Sequence, residues 1–400
     1  AGPGRRPVRA AHRPPVVRLT PALVPATRET CDVLRLAVDA TPLLGPRTGV
    51  GTFCTEVLAR LASRDDLELT AFAVTWRGRH ALGDAVPPGV RVVTRPLAAR
   101  PARMLWRRSD LPPVEWWTGP VDVVHGPNAV VPPTRSAARV LTVHDLTAVH
   151  HPEMCTPDVL HYPELIRRAV RSGAWVHTVS RFVGDEVVEV LGVPADRVVV
   201  IPNGPTDVPE ADPIVGRALA GADRYLLFLG TIEPRKDLPV LIEAFDEVAA
   251  ADPDLRLVLA GPDGWGVAEL ERSLVEARHA DRVVRLGWVG DDARAALLRG
   301  ASALVYPSRY EGFGLPILEG NACGVPVVAT SAGSIPEVAG DAAALVPPAD
   351  PGALAAALQR VLDDDGYAAE LTARGLVNVG RYSWDATTAG LADLYRDVAD

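Results

Sequence analysis

The chain has 400 residues but a single lysine, Lys236, although lysine and arginine together number 41. A coding preference for arginine would explain this scarcity. It would not explain why one lysine persists beside Arg235 in the stretch GTIEPRKDLP (230–239). The position therefore points to a need for an ammonium group, which is a compact, strongly hydrated point charge.

Long apolar runs and cysteines are also scarce, and each scarcity excludes a class of protein. No apolar run approaches 18 residues, so no membrane-spanning helix is expected. The four cysteines show no CxxC spacing, which indicates free thiols in a reducing compartment and argues against a disulfide framework. We accordingly expect a cytoplasmic protein. The cysteines are Cys31, Cys54, Cys155 and Cys323.

The first 30 residues differ from the rest in composition. They contain six arginines, six prolines and one acidic residue, Glu29. This segment lacks the apolar core of a secretion signal and predicts a disordered basic tail. Without its six arginines and one glutamate, the formal net charge changes from −9 to −14. Such an acidic body argues against nucleic acid as a partner.

Apolar runs alternate with amphipathic segments in two series along the chain. The first series starts at VLRLAVDA (33–40) and the second at RYLLFLG (224–230). Short apolar strands alternating with helices indicate parallel sheets covered by helices on both faces. We therefore predict an α/β fold of two doubly wound, Rossmann-like domains that face a cleft. Ligands of such sheets bind at the carboxyl ends of the strands.

A segment rich in proline, aspartate and glycine, residues 202–223, separates the two series and predicts a hinge. The resulting domains span residues 31–208 and 209–382, and a final helix over 383–400 is expected to cross back onto the first domain. Apolar spacing in the second series predicts helices over 237–250, 267–279, 291–300, 315–323, 334–339 and 350–363.

The lysine stretch lies between a strand and a helix. Apolar residues at helical spacing begin at Leu238, which makes Asp237 the predicted N-cap. Arg235 and Lys236 would then lie at the positive end of the helix dipole, where a cation is disfavoured by about 0.3–1 kcal/mol. An anion between them would remove this penalty, so the pair predicts a phosphate site. The alternative is a solvated pair on the surface.

A second loop, within YPSRYEGFGLPILEGNACGVPVVAT (306–330), has a glycine-rich turn between a strand and a helix. Backbone N–H groups in this turn, from Gly312 to Leu315, would point at a bound anion. Glu311 lies in the loop and Glu319 follows eight residues later in the helix, so both carboxylates could accept hydrogen bonds from polyol hydroxyls. A glutamate near a helix N-terminus is also favourable by itself.

These motifs resemble a known family. EGFGLPILE matches the E-x7-E signature of retaining glycosyltransferases with the GT-B architecture, the GT4-type family. The segments GTIEPRKDLPVLIEAF, VVIPNG and SAGSIPEVAGDAAALVPP resemble its donor-binding domain. The likeness covers nearly all of residues 31–400. It implies a nucleotide-diphosphate sugar as co-substrate on the second domain, an acceptor on the first domain and no separate cofactor.

The resemblance also implies roles for individual residues. Arg235 and Lys236 resemble the pair that contacts the donor diphosphate. Glu319 resembles the acid that holds the ribose hydroxyls, and Glu311 the one that contacts the transferred sugar. Further expected donor contacts are Gly230, Gly312, Phe313, Gly314, Leu315, Gly333 and Ser334.

The first domain contributes two loops to the predicted cleft. RTGVGTF places Gly49, Val50 and Gly51 in a strand-to-helix turn, where bare backbone can approach a phosphate or an acceptor, although a plain tight turn gives the same pattern. LTVHDL ends a strand with His144 and Asp145, and it resembles the His-Asp of mannosyltransferase-like members, in which the histidine lies against the donor sugar. Weaker candidates, for which structural roles are an equal alternative, are His125, Asn128 and Ser180.

Other chemistries fit the sequence less well. A P-loop requires GxxxxGK[ST], but Arg235 precedes the only lysine, and the GVG turn lacks the third glycine of a dinucleotide fingerprint. Two DxD-like segments, 252–254 and 363–365, lie at predicted helix ends, where turn chemistry accounts for them. One histidine-rich loop fits no zinc spacing, so no metal is expected. Its candidate ligands are His150, His151, Cys155 and His161.

The segment RMLWRRSDLPPVEWWTGP (103–120) combines three tryptophans with adjacent arginines. Peripheral contact with the inner face of a membrane is one interpretation, because aromatic and basic side chains favour the interface. Core packing next to a surface loop is the other.

The sequence therefore predicts a retaining, metal-independent hexosyltransferase of polysaccharide biosynthesis, with GDP-mannose as the first-choice donor and a glycan, lipid-linked or small-molecule acceptor. Front-side displacement is the expected mechanism, because no carboxylate in these motifs is clearly placed as a covalent nucleophile. The expected catalytic residues are Glu311, His144, Arg235 and Lys236. Two alternatives stay open: a nucleotide-sugar isomerase of the same architecture and a non-catalytic, two-lobed sugar-binding protein.

Overall fold

Two parallel β-sheets, one in each half of the chain, organise the structure. The computed structural model describes residues 33–45, 49–76, 78–96 and 98–400, which belong to one compact unit. The predicted basic tail, residues 1–30, lies outside the described residues. The strands of both sheets are nearly continuous apolar runs because helices cover both faces of each sheet.

Among the described residues, the first sheet has seven strands in the order β3-β2-β1-β4-β5-β6-β7, and every pairing is parallel. Its strands are β1 (Leu34–Asp39), β2 (Leu67–Phe72), β3 (Arg91–Val93), β4 (Val123–Gly126), β5 (Ala138–Val143), β6 (Trp175–Thr178) and β7 (Val198–Val200). Its helices are α1 (Gly49–Ala62), α2 (Leu82–Ala85), α3 (Ala99–Trp106), α4 (Glu115–Thr118), α5 (Thr147–His150), α6 (Tyr162–Arg171) and α7 (Arg181–Glu189).

The second sheet has six strands in the order β10-β9-β8-β11-β12-β13, again all parallel in the described part of the chain. They are β8 (Tyr225–Leu229), β9 (Arg256–Ala260), β10 (Val283–Gly287), β11 (Ala303–Tyr306), β12 (Val327–Thr330) and β13 (Ala344–Val346). The helices are α8 (Pro213–Ala220), α9 (Leu238–Ala249), α10 (Val267–Glu276), α11 (Asp291–Gly300), α12 (Leu315–Ala322), α13 (Ile335–Ala339), α14 (Pro351–Asp363), α15 (Asp365–Val379) and α16 (Trp384–Ala399).

The last helix, α16, packs on the first sheet, which confirms the predicted crossing. Ser383 caps its start by accepting hydrogen bonds from the backbone N–H groups of Asp385 and Ala386. Trp384 and Tyr395 are buried in the same apolar cluster as Phe53 of α1. The chain therefore passes through the second domain and returns to the first, so α16 links the two.

A chain of hydrogen bonds fixes α16 to the interior of the first sheet. The Tyr395 hydroxyl lies 2.7 Å from Nδ1 of His125, and Nε2 of His125 lies 2.7 Å from the Thr142 hydroxyl. That hydroxyl lies 2.9 Å from Nδ1 of His177, whose Nε2 lies 2.9 Å from the carbonyl oxygen of Ile201. We call these five groups the His125 chain. All four side chains are fully or almost fully buried.

The carbonyl at the end of the His125 chain sets the direction of every bond in it. Because a carbonyl oxygen only accepts, Nε2 of His177 donates and Nδ1 of the neutral ring accepts from Thr142. Thr142 then accepts from Nε2 of His125, whose Nδ1 accepts from Tyr395. Burial lowers the pKa of both histidines, that of His177 to about 4. Each polar atom of the two rings thus has a partner, as buried polar groups require.

No helix of the described residues is long and apolar enough to cross a membrane.

Candidate active site

Loops at the carboxyl ends of the two sheets meet closely, as the fold requires of a site in the cleft. A Cβ on Gly312, in the second domain, would overlap the carbonyl oxygen of His144 in the first domain. The Ser180 hydroxyl, at the start of α7, donates to the carbonyl oxygen of Gly312 at 2.8 Å. Glycine is therefore required at position 312, because any side chain would push the domains apart.

The lone lysine lies in a buried charged cluster, which we call the Lys236 cluster. Its Nζ lies 2.5 Å from Oε1 of Glu311 and 2.6 Å from the Tyr306 hydroxyl. Nη1 of Arg235 lies 2.7 Å from Oε2 of the same carboxylate. The Ser308 hydroxyl donates to Oε1 at 2.8 Å. These side chains meet because β8 and β11, which precede the two loops, are neighbours in the sheet.

The helix-dipole argument requires an anion beside Arg235 and Lys236. The carboxylate of Glu311, a residue of the protein itself, is such an anion. Lys236 and Glu311 are 6% and 5% exposed. Burial opposes ionisation of Glu311, but the charges of Arg235 and Lys236 outweigh it and lower the pKa of Glu311 to about 2. The surface-pair alternative is wrong for Lys236, since its ammonium group is buried. A contact with a donor diphosphate stays a prediction.

Arg235 has a terminal nitrogen that can still bind an acceptor. Its Nε donates to Glu233 at 2.8 Å. Its Nη1, although in ion-pair range of Glu311, has no aligned hydrogen-bond partner in the described part of the chain. Burial lowers the pKa of Arg235, but the facing carboxylates raise it by more. The guanidinium therefore stays charged. A phosphate oxygen could accept a hydrogen bond from this buried donor.

Asp237 occupies the predicted N-cap position of α9 but does not cap the helix. Its backbone is left-handed, with φ 49° and ψ 46°, and its side chain accepts no bond from the helix. The carboxylate instead accepts a hydrogen bond from Nε of Arg309 at 2.7 Å. The predicted N-cap position is confirmed, but the side chain takes no part, because a cation from the neighbouring loop binds the carboxylate, a contact that sequence spacing does not reveal.

The second glutamate of the E-x7-E motif is also buried and paired. Glu319, in α12, is 5% exposed and accepts a hydrogen bond from Nη1 of Arg294 at 2.7 Å. Nε of Arg294 has no hydrogen-bond partner within the described ranges. Both glutamates of the motif are thus held by basic side chains from other elements, Glu311 from the loop of Lys236 and Glu319 from α11. A bond from Glu319 to ribose hydroxyls remains a prediction.

Several expected donor contacts hold the loop in place. The Ser334 hydroxyl lies 3.1 Å from the carbonyl oxygens of Glu311 and Phe313 and donates to them. A Cβ on Gly333, where φ is +60°, would overlap the Glu311 carbonyl oxygen. Phe313 is 6% exposed and packs against Val179 and Tyr382. These residues shape the loop of Glu311, and direct contact with a donor stays a prediction. The adjoining expected residues are Gly230, Gly314 and Leu315.

The structure brings part of the predicted set together around one cavity of about 240 Å³. We call it the interdomain cavity, because residues of both domains line it. Its lining includes Val50, Asn128, His144, Asp145 and Arg235. The predicted turn at Gly49, Val50 and Gly51 was placed too late in the chain, because Gly49 already begins α1 and Gly51 is buried within that helix. The sequence did not indicate four further lining residues, Thr147, Tyr162, Glu233 and Trp265; of these, Glu233 was detectable as an acid beside the basic pair.

His144 is the histidine that keeps an available ring nitrogen at this cavity. Its Nε2 lies 2.8 Å from the Pro127 carbonyl oxygen and therefore donates. Nδ1 is then the acceptor of a neutral ring. Burial lowers the pKa of His144, and the bond to Pro127 opposes this only in part. His125 and Ser180, by contrast, have structural roles, in the His125 chain and at the N-cap of α7.

The histidine-rich loop does not form a metal centre. Nε2 of His150 lies 2.9 Å from Glu186, and Nδ1 of His151 lies 3.4 Å from Glu153. Within the described ranges, no group of three or more His, Cys, Asp or Glu side chains could hold a metal ion. Independence from metal remains a prediction, because a donor could bring its own cation.

Comparisons with known proteins give the family. A family model described as "Glycosyltransferase Family 4" matches residues 47–205, and one described as "Glycosyl transferases group 1" matches residues 223–364. The O-antigen chain mannosyltransferase B of Escherichia coli is 31% identical over 91% of this chain and 100% of its own length. A D-inositol 3-phosphate glycosyltransferase of Acidothermus cellulolyticus is 28% identical over 92% of this chain and 90% of its own.

Solved structures agree on the fold. A sucrose-phosphate synthase from Thermosynechococcus elongatus superposes with a TM-score of 0.70 at 21% identity, covering 91% of this chain and 98% of that one. Anabaena HepE in complex with UDP and glucose also gives 0.70, at 19% identity and with 90% and 99% coverage. Together with the full-length relative, these findings show that the chain belongs to the GT4-type glycosyltransferases of GT-B architecture and is a hexosyltransferase.

Proposed function

We propose that the chain transfers mannose from GDP-mannose to a sugar-containing acceptor, with retention of configuration. The observation that carries this proposal is the Lys236 cluster at the edge of the interdomain cavity, in a chain that is 31% identical to an O-antigen chain mannosyltransferase along that protein's entire length. The donor diphosphate would meet Arg235, and the transferred hexose would lie between Glu311 and His144.

The charges of this site suit departure of a diphosphate better than proton transfer. With a pKa of about 2, Glu311 is ionised at neutral pH and cannot act as a general acid. It can accept hydrogen bonds from sugar hydroxyls, as can Nδ1 of neutral His144. Arg235 would stabilise the charge that develops on the leaving diphosphate, an effect worth roughly 10²–10³ in turnover per donor group. We propose front-side attack by the acceptor hydroxyl.

A panel of GDP- and UDP-sugars, with release of the nucleoside diphosphate as readout, tests the donor. We expect release from GDP-mannose, lost in Arg235→Leu and retained in Arg278→Leu, whose side chain is largely exposed in the same domain. Release of an altered free sugar without an acceptor would favour the isomerase alternative. Binding without any release would favour the non-catalytic one, and preference for a UDP-sugar would overturn the donor assignment. Activity that survives EDTA would support metal independence.

The acceptor has two candidate classes among the relatives. One relative's name specifies an O-antigen chain, and others specify D-inositol 3-phosphate. The first is a glycan and the second an anionic phosphorylated polyol. We favour the glycan, because the mannosyltransferase is the more similar of these relatives and is matched over its entire length.

A peripheral membrane contact at the cytoplasmic face remains part of the proposal. Its support is a set of exposed apolar side chains in and near the arginine-rich α3, namely Trp76, Met104, Leu105, Leu111 and Trp116. Co-sedimentation with vesicles containing anionic lipid is expected, and it should disappear in a Met104→Glu, Leu105→Glu variant. Equal sedimentation of that variant would remove the proposal.

A further inference from the structure

A second cavity, of about 200 Å³, adjoins the interdomain cavity and shares Val50 and Asn128 with it. We call it the first-domain cavity, because every described residue that lines it belongs to the first domain. The interdomain cavity, by contrast, includes Glu233, Arg235 and Trp265 of the second domain. We call the two adjoining cavities together the trough, which extends from the donor side of the cleft into the first domain. Taken together, the two volumes fall within the range of small-molecule sites.

A fixed carboxylate lies at the end of this trough. Asp39, the last residue of β1, accepts hydrogen bonds through Oδ1 from the backbone N–H of Thr41, at 2.9 Å, and from its hydroxyl. That hydroxyl in turn accepts from the backbone N–H of Val74 at 2.7 Å. Two loops thus hold the carboxyl group in position. Burial raises the pKa of Asp39, and the bonds from Thr41 and the charge of Arg103 oppose the rise.

Arg103, in α3, joins the two cavities. It lines the first-domain cavity, and its guanidinium lies 5.9 Å from the ring centre of Tyr162, which lines the interdomain cavity. Its charge acts on the carboxylate of Asp39. The trough therefore ends in one acidic and one basic group that balance each other, so the pair does not favour an anion over a neutral molecule.

Each cavity is also lined by a residue whose buried polar atom lacks a hydrogen-bond partner within the described ranges. In the first-domain cavity it is Nε1 of Trp106, a side chain that is 3% exposed. In the interdomain cavity it is the hydroxyl of Thr147, which is 6% exposed. Buried donors are rarely left unpaired in native proteins, so each such atom calls for a partner. A ligand rich in hydroxyl groups would supply both.

We propose that the first-domain cavity is the acceptor subsite and takes a neutral sugar ring. Asp39 accepts and Arg103 donates hydrogen bonds to its hydroxyls, and the apolar face of the ring packs on Trp106 and Val74. A phosphorylated polyol fits worse, because its negative charge would face the half-buried carboxylate of Asp39, and that carboxylate already balances the charge of Arg103. This inference rests on the proposed glycosyl transfer, since it assigns the acceptor of that reaction.

The indole N–H of Trp106 provides a direct test that needs no catalysis. In ¹⁵N-labelled protein its resonance is assigned by its loss in Trp106→Phe. The probes are methyl glycosides of mannose, glucose, galactose and N-acetylglucosamine, with mannose 6-phosphate and glucuronic acid as anionic counterparts. We expect at least one neutral glycoside to shift the resonance saturably and the anionic sugars to leave it in place. A shift by the anionic sugars alone, or by no sugar, would overturn the proposal.

Two substitutions locate the subsite. Asp39→Asn keeps an acceptor for Thr41 but removes the charge. It should lower the affinity for the glycoside, measured from the shift, at least tenfold. Arg103→Leu should do the same, whereas Arg100→Leu, which removes a largely exposed arginine from the same helix, should not. Undiminished binding in Asp39→Asn and Arg103→Leu would contradict the assignment.

Titration of GDP and UDP by calorimetry separates this proposal from the donor assignment. Asp39→Asn should bind the nucleoside diphosphate with the affinity of the native protein, since Asp39 lies outside the second domain. If the native protein binds neither nucleotide but a sugar still shifts the Trp106 resonance, the donor assignment is contradicted and the sugar subsite is supported. If the native protein binds a nucleotide but no sugar shifts the Trp106 resonance, the donor assignment is supported and the sugar subsite is contradicted.

Discussion

The Lys236 cluster and the His125 chain are both buried polar networks, but they differ in charge and in completeness. The cluster joins three ionisable side chains and leaves Nη1 of Arg235 without an aligned acceptor among the described residues. The chain contains no charge, and each of its ring nitrogens has one partner. Unused hydrogen-bonding capacity thus marks the ligand site, whereas a complete network marks the scaffold.

The three histidines around Phe53 show the same contrast within one domain. Their rings lie 5.2 to 6.3 Å from its ring. His125 and His177 have both nitrogens engaged, and they lie away from the cavities. His144 has only Nε2 engaged among the described residues and lines the interdomain cavity. The difference follows from position, because His144 comes directly after the end of its strand and the other two lie within theirs.

Removal of the lysine should have the largest effect on activity. In Lys236→Met we expect turnover to fall at least about 100-fold, because the positive charge beside Arg235 is lost together with the hydrogen bond that positions Glu311. The free energy of unfolding should fall by about 1–3 kcal/mol, since the Tyr306 hydroxyl and one oxygen of Glu311 lose a partner while Arg235 still pairs with the carboxylate. Steady-state kinetics and urea denaturation measure the two effects.

Two further variants separate charge from structure. Lys236→Met with Glu311→Gln restores the charge balance of the cluster and should recover stability without activity. Lys236→Arg keeps the charge, but a guanidinium has no room at contacts of 2.5 and 2.6 Å, so we expect less than a tenth of native turnover. Native turnover in Lys236→Arg would mean that the lone lysine is an accident of composition.

As the pH falls, the His125 chain should lose its contribution to the free energy of unfolding before the Lys236 cluster does. The pKa of His177 is about 4 in the folded protein and 6.5 when unperturbed, so the folded chain binds fewer protons than the unfolded chain between these values. The free energy of unfolding should therefore fall as the pH drops below 6.5, by on the order of 3 kcal/mol at pH 4 from this residue alone. Glu311 adds a loss only as the pH falls from about 4.5 toward 2.

Urea denaturation between pH 7.5 and pH 4.5 measures this dependence. A His177→Gln variant, whose amide can both donate and accept, should show a shallower slope over the same range. An identical slope would mean that His177 does not titrate with a lowered pKa.

Interruption of the His125 chain at its helical end should reduce stability but not catalysis. Tyr395→Phe leaves Nδ1 of His125 without a donor, and we expect a loss of about 1–3 kcal/mol in the free energy of unfolding. Tyr382→Phe is the control, because its hydroxyl makes only longer contacts, 3.3 and 3.4 Å, with backbone oxygens. A reduced turnover in folded Tyr395→Phe would show that the chain also serves the active site.

The smallest effect is expected at a contact between the domains. The Glu337 carboxylate, in α13, accepts hydrogen bonds from the backbone N–H groups of Arg181 and Phe182 at 2.9 and 3.0 Å and so caps α7 of the first domain. Glu337→Gln keeps one acceptor oxygen of two. The closed arrangement should be less populated, which raises the KM for the donor a few-fold without changing turnover. Glu370→Gln, at an exposed position, is the control and should leave the KM unchanged. An unchanged KM in Glu337→Gln as well would show that this contact does not favour the closed arrangement.

The sequence predicted the fold more completely than the site. Helix α11 spans the predicted residues 291–300, because local apolar spacing and turn residues determine such boundaries. The E-x7-E motif likewise located Glu311 and Glu319. The ion pairs of these glutamates with Lys236 and Arg294 were not predicted, since they depend on which strands are neighbours and how their loops turn.

The proposed acceptor subsite was also missed, for a physical reason. Asp39 was included only as part of a strand, although an acid at the carboxyl end of a buried parallel strand is a usable signal. Arg103 gave no signal, because an arginine on an amphipathic helix usually faces solvent. Trp106 is likewise indistinguishable in sequence from a core aromatic residue.

The central claim is that the Lys236 cluster binds the donor diphosphate, and calorimetric titration of the nucleoside diphosphate tests it most directly. We predict that the native protein binds GDP, that the charge-balanced variant Lys236→Met, Glu311→Gln folds but loses at least about 100-fold in affinity, and that Tyr395→Phe binds as the native protein does. Equal affinity of the charge-balanced variant and the native protein, or no binding of GDP or UDP by the native protein, would contradict the claim.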